Sequence, residues 1–335
     1  SLNPHVDRLV QTCFMEVDRR GVVVRAEFHD GVINSDERMT YTAVNAILTD
    51  RDPALLERYA DVVPLFERMA ELFRILNDAR HRRGSIDFDI NETELILDSG
   101  GAVEAIVALE RNIAHRLIEE FMLLANETVA TWLDTNGAPA LYRIHEEPDL
   151  LKVEKFEAFL TTFGLSLGGT LTELRPRHFQ RVVERIAGQP FEKPVSYLML
   201  RTMQKARYAP ENLGHFGLAA PSYTHFTSPI RRYADLVVHR VLGDHLARQE
   251  QAGQHRASAY DLTRVERMGE HLSLTEINSA EAERDSVKVK LLEYFERELE
   301  RRPPTRFTAV ITDVRMNGFF IELVDSMAFG FVATA

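Results

Sequence analysis

The sequence predicts an α+β protein with a β-rich start, a long helical middle and a second β-rich end. Three observations carry this. Residues 8–35 hold two β-rich runs around a turn. Most of the stretch from residue 54 to residue 300 repeats its apolar residues at helical spacing. After Pro303 and Pro304 the period changes to two. A chain of 335 residues can bury a large core and allows two domains. Hydrophobic content of 45% and charged content of 27% are ordinary for a globular protein in water.

Composition also excludes some classes. One cysteine, Cys13, forbids an internal disulfide and fits a reducing compartment, so a cytoplasmic location is expected. No charged segment leads into an apolar leader, and no apolar run reaches the ~20 residues of a membrane helix. The formal charge of −11 argues against a protein that coats nucleic acid nonspecifically. It is compatible with a local basic channel, because the field in a cleft depends on the residues lining it.

Along the chain, LVQTCFMEV and VVVRAEFHDGVI flank Arg19, Arg20 and Gly21 and read as a hairpin on a sheet edge. A helix begins at Thr40 with Tyr41 in its first turn. Residues 54–83 read as helix, ended by Gly84. SIDFDINETELILD, 85–98, alternates like a strand, with Phe88 on one face and Asp87 and Asp89 on the other. Two carboxylates on one face suit a divalent ion, although a solvated strand face is the commoner meaning.

Residues 103–133 read as one long helix, with Ile106, Leu109, Ile113, Leu117 and Leu124 in apolar stripes. Glu119, Glu120 and Asn126 interrupt it, and Glu119 and Asn126 share a face two turns apart. LYRIHEEP, 141–148, reads as a strand entering a turn; its Arg143 and His145 suit a nucleic-acid path and a structural role equally. Helices follow at 150–188 and 193–207, joined internally by Gly168 and Gly169. A strand and loop are expected at 210–226, and one or two charged helices at 259–300. RFTAVITDVRMNGFFIELVDSMAFGFVATA reads as three strands, with Asn317–Gly318 as a turn. Phe319, Phe320 and Phe329 there are candidate stacking residues.

The most informative stretch is YTHFTSPIRRYADLVVHR, 223–240. Ser228 suits an N-cap and Pro229 a first helical position. Ile230, Tyr233, Ala234, Val237 and Val238 then share an apolar face. Arg231 and Arg232 fall in the first turn, where the helix dipole disfavours each cation by ~0.3–1 kcal/mol. An anion should offset that. A phosphate fits the free N–H groups and the guanidinium fork. Asp235, at i+4 from Arg231 and i+3 from Arg232, fits equally well.

That stretch resembles the signature of the RNB family, the ribonuclease II/R group of processive 3′-to-5′ exoribonucleases. SLNPHVDRL, MTYTAV, RLIEEFMLLAN, LYRIHEEP and MLRTMQKARYAPENLGHFGLA resemble family segments in the family's order, so the likeness covers nearly the whole chain. The wording leans to the ribonuclease R branch.

The resemblance implies an RNB catalytic domain over 1–302, a mixed sheet with many helices whose N-terminal part is missing. The opening of a truncated OB-type S1 β-barrel for single strands would follow over 303–335. Arg231 matches the arginine at the scissile phosphate. Tyr41 matches a tyrosine near the scissile bond. Glu119 matches a residue at the terminal nucleotide, where a carboxylate can sense the 2′-OH. Phe88 matches a base-stacking aromatic. Glu283 matches an acid close to the site, and Arg232, Tyr223 and Ser228 join the RNA-binding set. The expected partner is the 3′ end of single-stranded RNA, with no membrane and a monomeric protein.

Mg²⁺ is the implied cofactor. The family's aspartate cluster lies upstream of the residues matching Ser1 and is absent from this sequence. The chain is therefore expected to be a fragment, inactive alone. A catalytically inactive RNA-binding relative is the alternative, and a helical scaffold whose arginines only pair with acids is the third reading.

Overall fold

The structure is a computed structural model that describes residues 2–87, 93–108, 111–250, 260–324 and 326–334. Strands β1 (Asp7–Val17) and β2 (Val23–Asn34) pair antiparallel from Asp7 opposite Asn34 to Val17 opposite Val23. The turn forms because Asp18 Oδ1 accepts the N–H groups of Arg20 and Val22 at 2.8 and 2.9 Å. Gly21 supplies a φ of 82° that other residues resist. The expected hairpin is there, but as a two-stranded ribbon of its own rather than the edge of a larger sheet. Phe28 anchors it against Trp132, with ring centroids 5.1 Å apart.

Helix α1 (Tyr41–Asn45) starts where expected, with Thr40 accepting the Ala43 N–H. A π-helical turn, Ala46–Asp50, leads to α2 (Pro53–Arg58), capped by Asp52, and to α3 (Val63–Arg83). The continuous helix expected over 54–83 is thus interrupted at 59–62. Phe66, Ala70, Phe73 and Leu76 form the buried stripe of α3. Gly84 ends it at φ 97°, close against Arg177.

Of the strand expected over 85–98, residues 93–97 form β3 (Thr93–Leu97), residues 85–87 are not strand, and 88–92 lie outside the described residues. The helix expected over 103–133 is two elements, β4 (Val103–Ala108) and α4 (Ile113–Thr135). β3 pairs with β4 across a turn in which Asp98 accepts the N–H groups of Gly100 and Ala102. The segment VEAIVA is β-branched and too short to nucleate a helix before Asn112. Asn112 is the true helix start: its Oδ1 accepts the Ala114 and His115 N–H groups at 3.1 and 3.3 Å.

Strand β5 (Tyr142–Ile144) follows α4. Helices α5 (Leu150–Thr161), α6 (Pro176–Ile186) and α7 (Glu192–Thr202) then close an apolar core around Phe156, Phe179, Ile186 and Met199. Strand β6 (Arg207–Ala209) pairs with β5 where helix was expected to run to 207. The strand expected within 210–226 is a loop making isolated bridges, such as Thr224 to Tyr142. A second core joins α8 (Tyr233–Glu250) and α9 (Leu262–Glu300) to α4 and β5, through Val129, Leu133, Ile144, Val238, Leu242 and Val265.

Strands β7 (Ala309–Arg315), β8 (Gly318–Leu323) and β9 (Phe329–Ala333) form an antiparallel meander. The three expected strands are present, and no closed barrel forms among the described residues. Lys193 to Glu322, 2.7 Å, and Tyr197 beside Phe329 tie the meander to α7.

Helix α9 approaches strand β6 closely at Gly269. A Cβ there would stand 2.9 Å from the Tyr208 carbonyl oxygen and 3.1 Å from Leu141 Cδ1. Gly269→Ala is expected to lower stability by about 1–3 kcal/mol, the usual cost of overpacking. Urea unfolding of the two forms measures it, and an unchanged midpoint would mean that α9 does not bear on β6.

Candidate functional site

Helix α4 is the rod on which the candidate residues are mounted. Near its start, Tyr41 of α1 stacks on His115, centroids 4.0 Å apart and planes 27° from parallel. One turn further lies Glu119, whose Oε2 accepts two hydrogen bonds from Arg111, from Nη2 at 2.6 Å and Nε at 3.2 Å. Arg111 Nη1 also donates to Asp87 at 3.3 Å. Asp87 accepts from Arg80, and Arg80 Nε donates to Glu120 at 2.7 Å. Arg80 and Glu120 are both buried.

These charges sustain one another. Burial opposes the Arg80 charge, but Glu120 and Asp87 outweigh it and hold the guanidinium above its ordinary pKa. Burial likewise opposes the Asp87 charge, yet Arg80 and Arg111 hold its carboxyl below the usual range. Asp87 is therefore held by two arginines, with its side chain 41% exposed. Phe88 and Asp89 lie outside the described residues.

Two turns beyond Glu119, about 10 Å along the axis, Asn126 is buried and commits its amide to the signature loop. Its Oδ1 accepts the Phe226 N–H at 2.9 Å and the Thr227 N–H at 3.3 Å, and its Nδ2 donates to Tyr223 Oη at 3.0 Å. Tyr223 is buried with its hydroxyl engaged, so it props the loop and offers no open ring face. Asn126 was visible in the sequence as a polar break in an apolar helix, but its partner 100 residues away was not.

The signature stretch departs from the sequence expectation. Helix α8 begins only at Tyr233, so Ser228 is not its N-cap and Pro229 is not its first residue. Residues 229–231 form a turn in which the Arg231 and Arg232 N–H groups both donate to Ser228 O, at 3.3 and 3.0 Å. Ile230, expected on the buried face, is 92% exposed, while Ala234, Val237 and Val238 are buried as expected.

The cause is Asp235. In the first turn of α8 its fully buried carboxylate accepts the Ser228 N–H at 2.7 Å, Arg232 Nε at 2.8 Å and Arg232 Nη2 at 2.9 Å. An acid near the positive helix start is favourable, and it satisfies a loop N–H as well. The two readings of the arginine pair thus divide. Arg232 belongs to Asp235. Arg231 is exposed, and its guanidinium makes no hydrogen bond or ion pair among the described residues.

Arg231 lines a cleft of about 1040 Å³ between the β1–β2 ribbon and residues 226–231. Leu9, Val32, Phe226 and Ile230 make much of that cleft apolar. Behind the arginines, Tyr208 Oη and His225 Nδ1 lie 2.8 Å apart. Arg143 lies over the Tyr208 ring at 4.7 Å and is held by both oxygens of Glu276 at 2.6 and 3.0 Å, so it is structural. Burial, then Arg232, Arg143, His215 and Arg231, push the His225 pKa far down. Burial and His145 push His215 to about 3.

Glu283 is exposed on α9, and its side chain makes no hydrogen bond or ion pair among the described residues, so it joins neither cluster. No group of three His, Cys, Asp or Glu side chains among the described residues stands where it could hold a metal ion. Asp87 and Asp235 are paired with arginines, and Glu119 is paired with Arg111 through Oε2. The described residues therefore do not fit a magnesium site.

Comparison with known proteins gives the class. The RNB domain model matches residues 1–248, and the chain belongs to the RNB family. It is 41% identical over 331 residues to ribonuclease R 1 of Lactococcus lactis, covering 98% of this chain and 39% of that protein. It superposes on Mycoplasma genitalium RNase R, solved with ribose-methylated single-stranded RNA, at a TM-score of 0.86 and 26% identity. That match covers 99% of this chain and 51% of the other. Yeast Ssd1, a pseudonuclease, shares the fold at a TM-score of 0.74 and 19% identity, over 99% of this chain and 40% of the other. The chain thus spans about two fifths of the length of its curated ribonuclease R relatives.

Asp235→Ala is expected to cost about 3 kcal/mol in urea unfolding, the low end for a broken buried pair because Arg232 is partly exposed. A loss under ~1 kcal/mol would mean that the loop does not depend on this carboxylate.

Buried histidines also set a pH dependence. The folded pKa of His215 and His225 lies far below the unfolded value of 6.5. Below pH 6.5 the unfolded chain binds protons that the folded chain refuses, so stability falls as pH drops. Each histidine contributes about 1.4 kcal/mol per pH unit. Unfolding between pH 6.5 and 5 should show this slope, and His215→Asn should reduce it by about one proton. An unchanged slope in the variant would place His215 in water.

Proposed function

We propose that this protein acts in 3′-to-5′ exoribonucleolytic degradation of single-stranded RNA, releasing nucleoside 5′-monophosphates. The observation that carries the reading is the guanidinium of Arg231, unpaired among the described residues, beside a neighbour locked by Asp235, in a chain of the RNB family. A guanidinium without a carboxylate partner is available to a phosphodiester, and its fork matches two phosphate oxygens. Arg231 stabilises the charge that develops on the phosphoryl group being cut. Arg232 braces the loop and sets its direction.

At the other end of α4, Tyr41 presents a ring and Glu119 a carboxylate to the terminal nucleotide. A separation of about 10 Å along the helix allows one or two nucleotides between this end and the Arg231 loop. Phe88 stacks on a base in this reading. Tyr223 and Ser228 act through the loop, and Glu283 lines the RNA path away from the two clusters. Mg²⁺ would supply activation of the attacking water in this reading, held by residues outside the described ones. Residues 303–335 open an S1-type single-strand domain, and the protein acts as a monomer in the cytoplasm.

The second reading is an RNA-binding relative without hydrolysis. It is favoured by the commitment of the nearby carboxylates to arginines. The two readings differ in one assay, trimming of single-stranded RNA by the full-length protein with Mg²⁺.

In that protein Arg231→Ala should lower kcat by ~10²-fold or more and change RNA affinity by only a few-fold, since one arginine among many phosphate contacts adds little binding. Equal losses in kcat and affinity would contradict the assignment. Arg231→Lys should recover little, because an ammonium lacks the planar fork. The 335-residue chain alone should not trim RNA, and robust Mg²⁺-dependent trimming by it would overturn the placement of the ion's ligands.

A further inference from the structure

Arg111 belongs to none of the residues singled out by the sequence motif, yet it is where the Glu119 end of α4 is held together. Both hydrogen bonds that it gives Glu119 go to the same oxygen, Oε2. Glu119 Oε1 has no hydrogen-bond partner among the described residues, and the side chain is 40% exposed. A carboxylate clamped through one oxygen keeps the other at a fixed place, as an acceptor only.

The clamp does not float. Arg111 Nη1 donates to Asp87, Asp87 accepts from Arg80, and Arg80 is buried against Glu120 of α4 itself. A closed circuit of charge-assisted hydrogen bonds therefore runs from α4 through Arg80, Asp87 and Arg111 back to α4. Tyr41 stacks on His115, one turn before Glu119 on the same helix.

We propose that Arg111 is a positioning residue that aims the free oxygen of Glu119 at the 2′-hydroxyl of the terminal ribose, and so sets the preference for RNA over a strand ending in a deoxynucleotide. This rests on Glu119 meeting the terminal nucleotide. A hydroxyl donor is the ligand feature that the geometry selects. A fixed acceptor rewards a ribose, and a deoxyribose leaves it unmet.

An exposed ion pair with no such duty would have another signature. The Arg111 and Glu119 side chains are 32% and 40% exposed, so their pairing adds little to stability. Removing Arg111 should then leave folding nearly untouched, and the effect should appear in discrimination.

The test measures equilibrium binding by the full-length protein, in chelator so that no cleavage occurs. Two oligoribonucleotides are compared, identical except for a 2′-deoxy sugar at the 3′ end. Glu119→Ala should bring the ribo-to-deoxy affinity ratio close to one. Arg111→Ala should cut that ratio by ~3- to 10-fold, with a thermal midpoint within a few degrees of the parent. Arg111→Lys should fall between, since an ammonium cannot span Asp87 and Glu119 as a fork does. The double variant should match Glu119→Ala alone, because residues acting as a unit are not additive.

An unchanged ratio in Arg111→Ala, with Glu119→Ala still collapsing it, would overturn the role of Arg111 and leave that of Glu119. An unchanged ratio in both variants would remove Glu119 from the terminal ribose, which takes this proposal with it. If Arg111→Ala proves unstable, Arg111→Lys decides the matter, and a parent-like ratio in it would count against the clamp. Loss of Mg²⁺-dependent trimming is a separate readout and bears on the nuclease reading alone.

Discussion

The buried carboxylate of Asp235 is the constraint on which the signature loop depends. It stands in the first turn of α8 and accepts one N–H from Ser228 and two hydrogen bonds from Arg232. By taking Arg232 and the Ser228 N–H together, it delays the helix to Tyr233 and turns residues 229–231 outward. The Arg231 side chain is left on the turn without a partner among the described residues. One acid thus separates two adjacent arginines into a brace and a free guanidinium. Asn126 supports the same loop from the other side, through Phe226, Thr227 and Tyr223.

Helix α4 converts that local constraint into a site with two ends. Asn126 holds the arginine loop near one end, and His115 and Glu119 hold Tyr41 and Arg111 near the other. A helix keeps a fixed rise of ~1.5 Å per residue, so the distance between the ends is set by a rigid element rather than by loops. The polar residues that break the apolar pattern of α4 are the ones that do this. Glu120 and Asn126 have partners 40 and 100 residues away, and are buried only because those partners satisfy them.

Much of this was legible in the sequence where the cause is local. The β1–β2 ribbon follows from two β-branched runs and an Asp–Arg–Arg–Gly turn. Tyr41 in the first turn follows from Thr40, and the end of α3 from Gly84. Family membership followed from the ordered motifs. The errors arose where a distant group overrides a local signal. Ser228–Pro229 is a good cap and start in isolation, but Asp235 claims the loop from inside the helix. Helical spacing places VEAIVA in the helix expected over 103–133, but pairing with β3 makes it a strand. Arg111 carried no motif, and its two carboxylate partners lie 24 and 8 residues away, so spacing could not have found it. Phe88 and Asp89 fall outside the described residues, and Glu283 joins neither cluster.

In the function proposed, Arg231 and not Arg232 meets the bond that is cut. A structure of the full-length protein holding a non-hydrolysable single-stranded RNA decides between the two arginines. The Arg231 guanidinium should then lie within about 3 Å of the oxygens of the phosphate at the scissile position, with Arg232 still on Asp235. A complex in which Arg231 lies away from every phosphate, or in which Arg232 leaves Asp235 to make the contact, would contradict it.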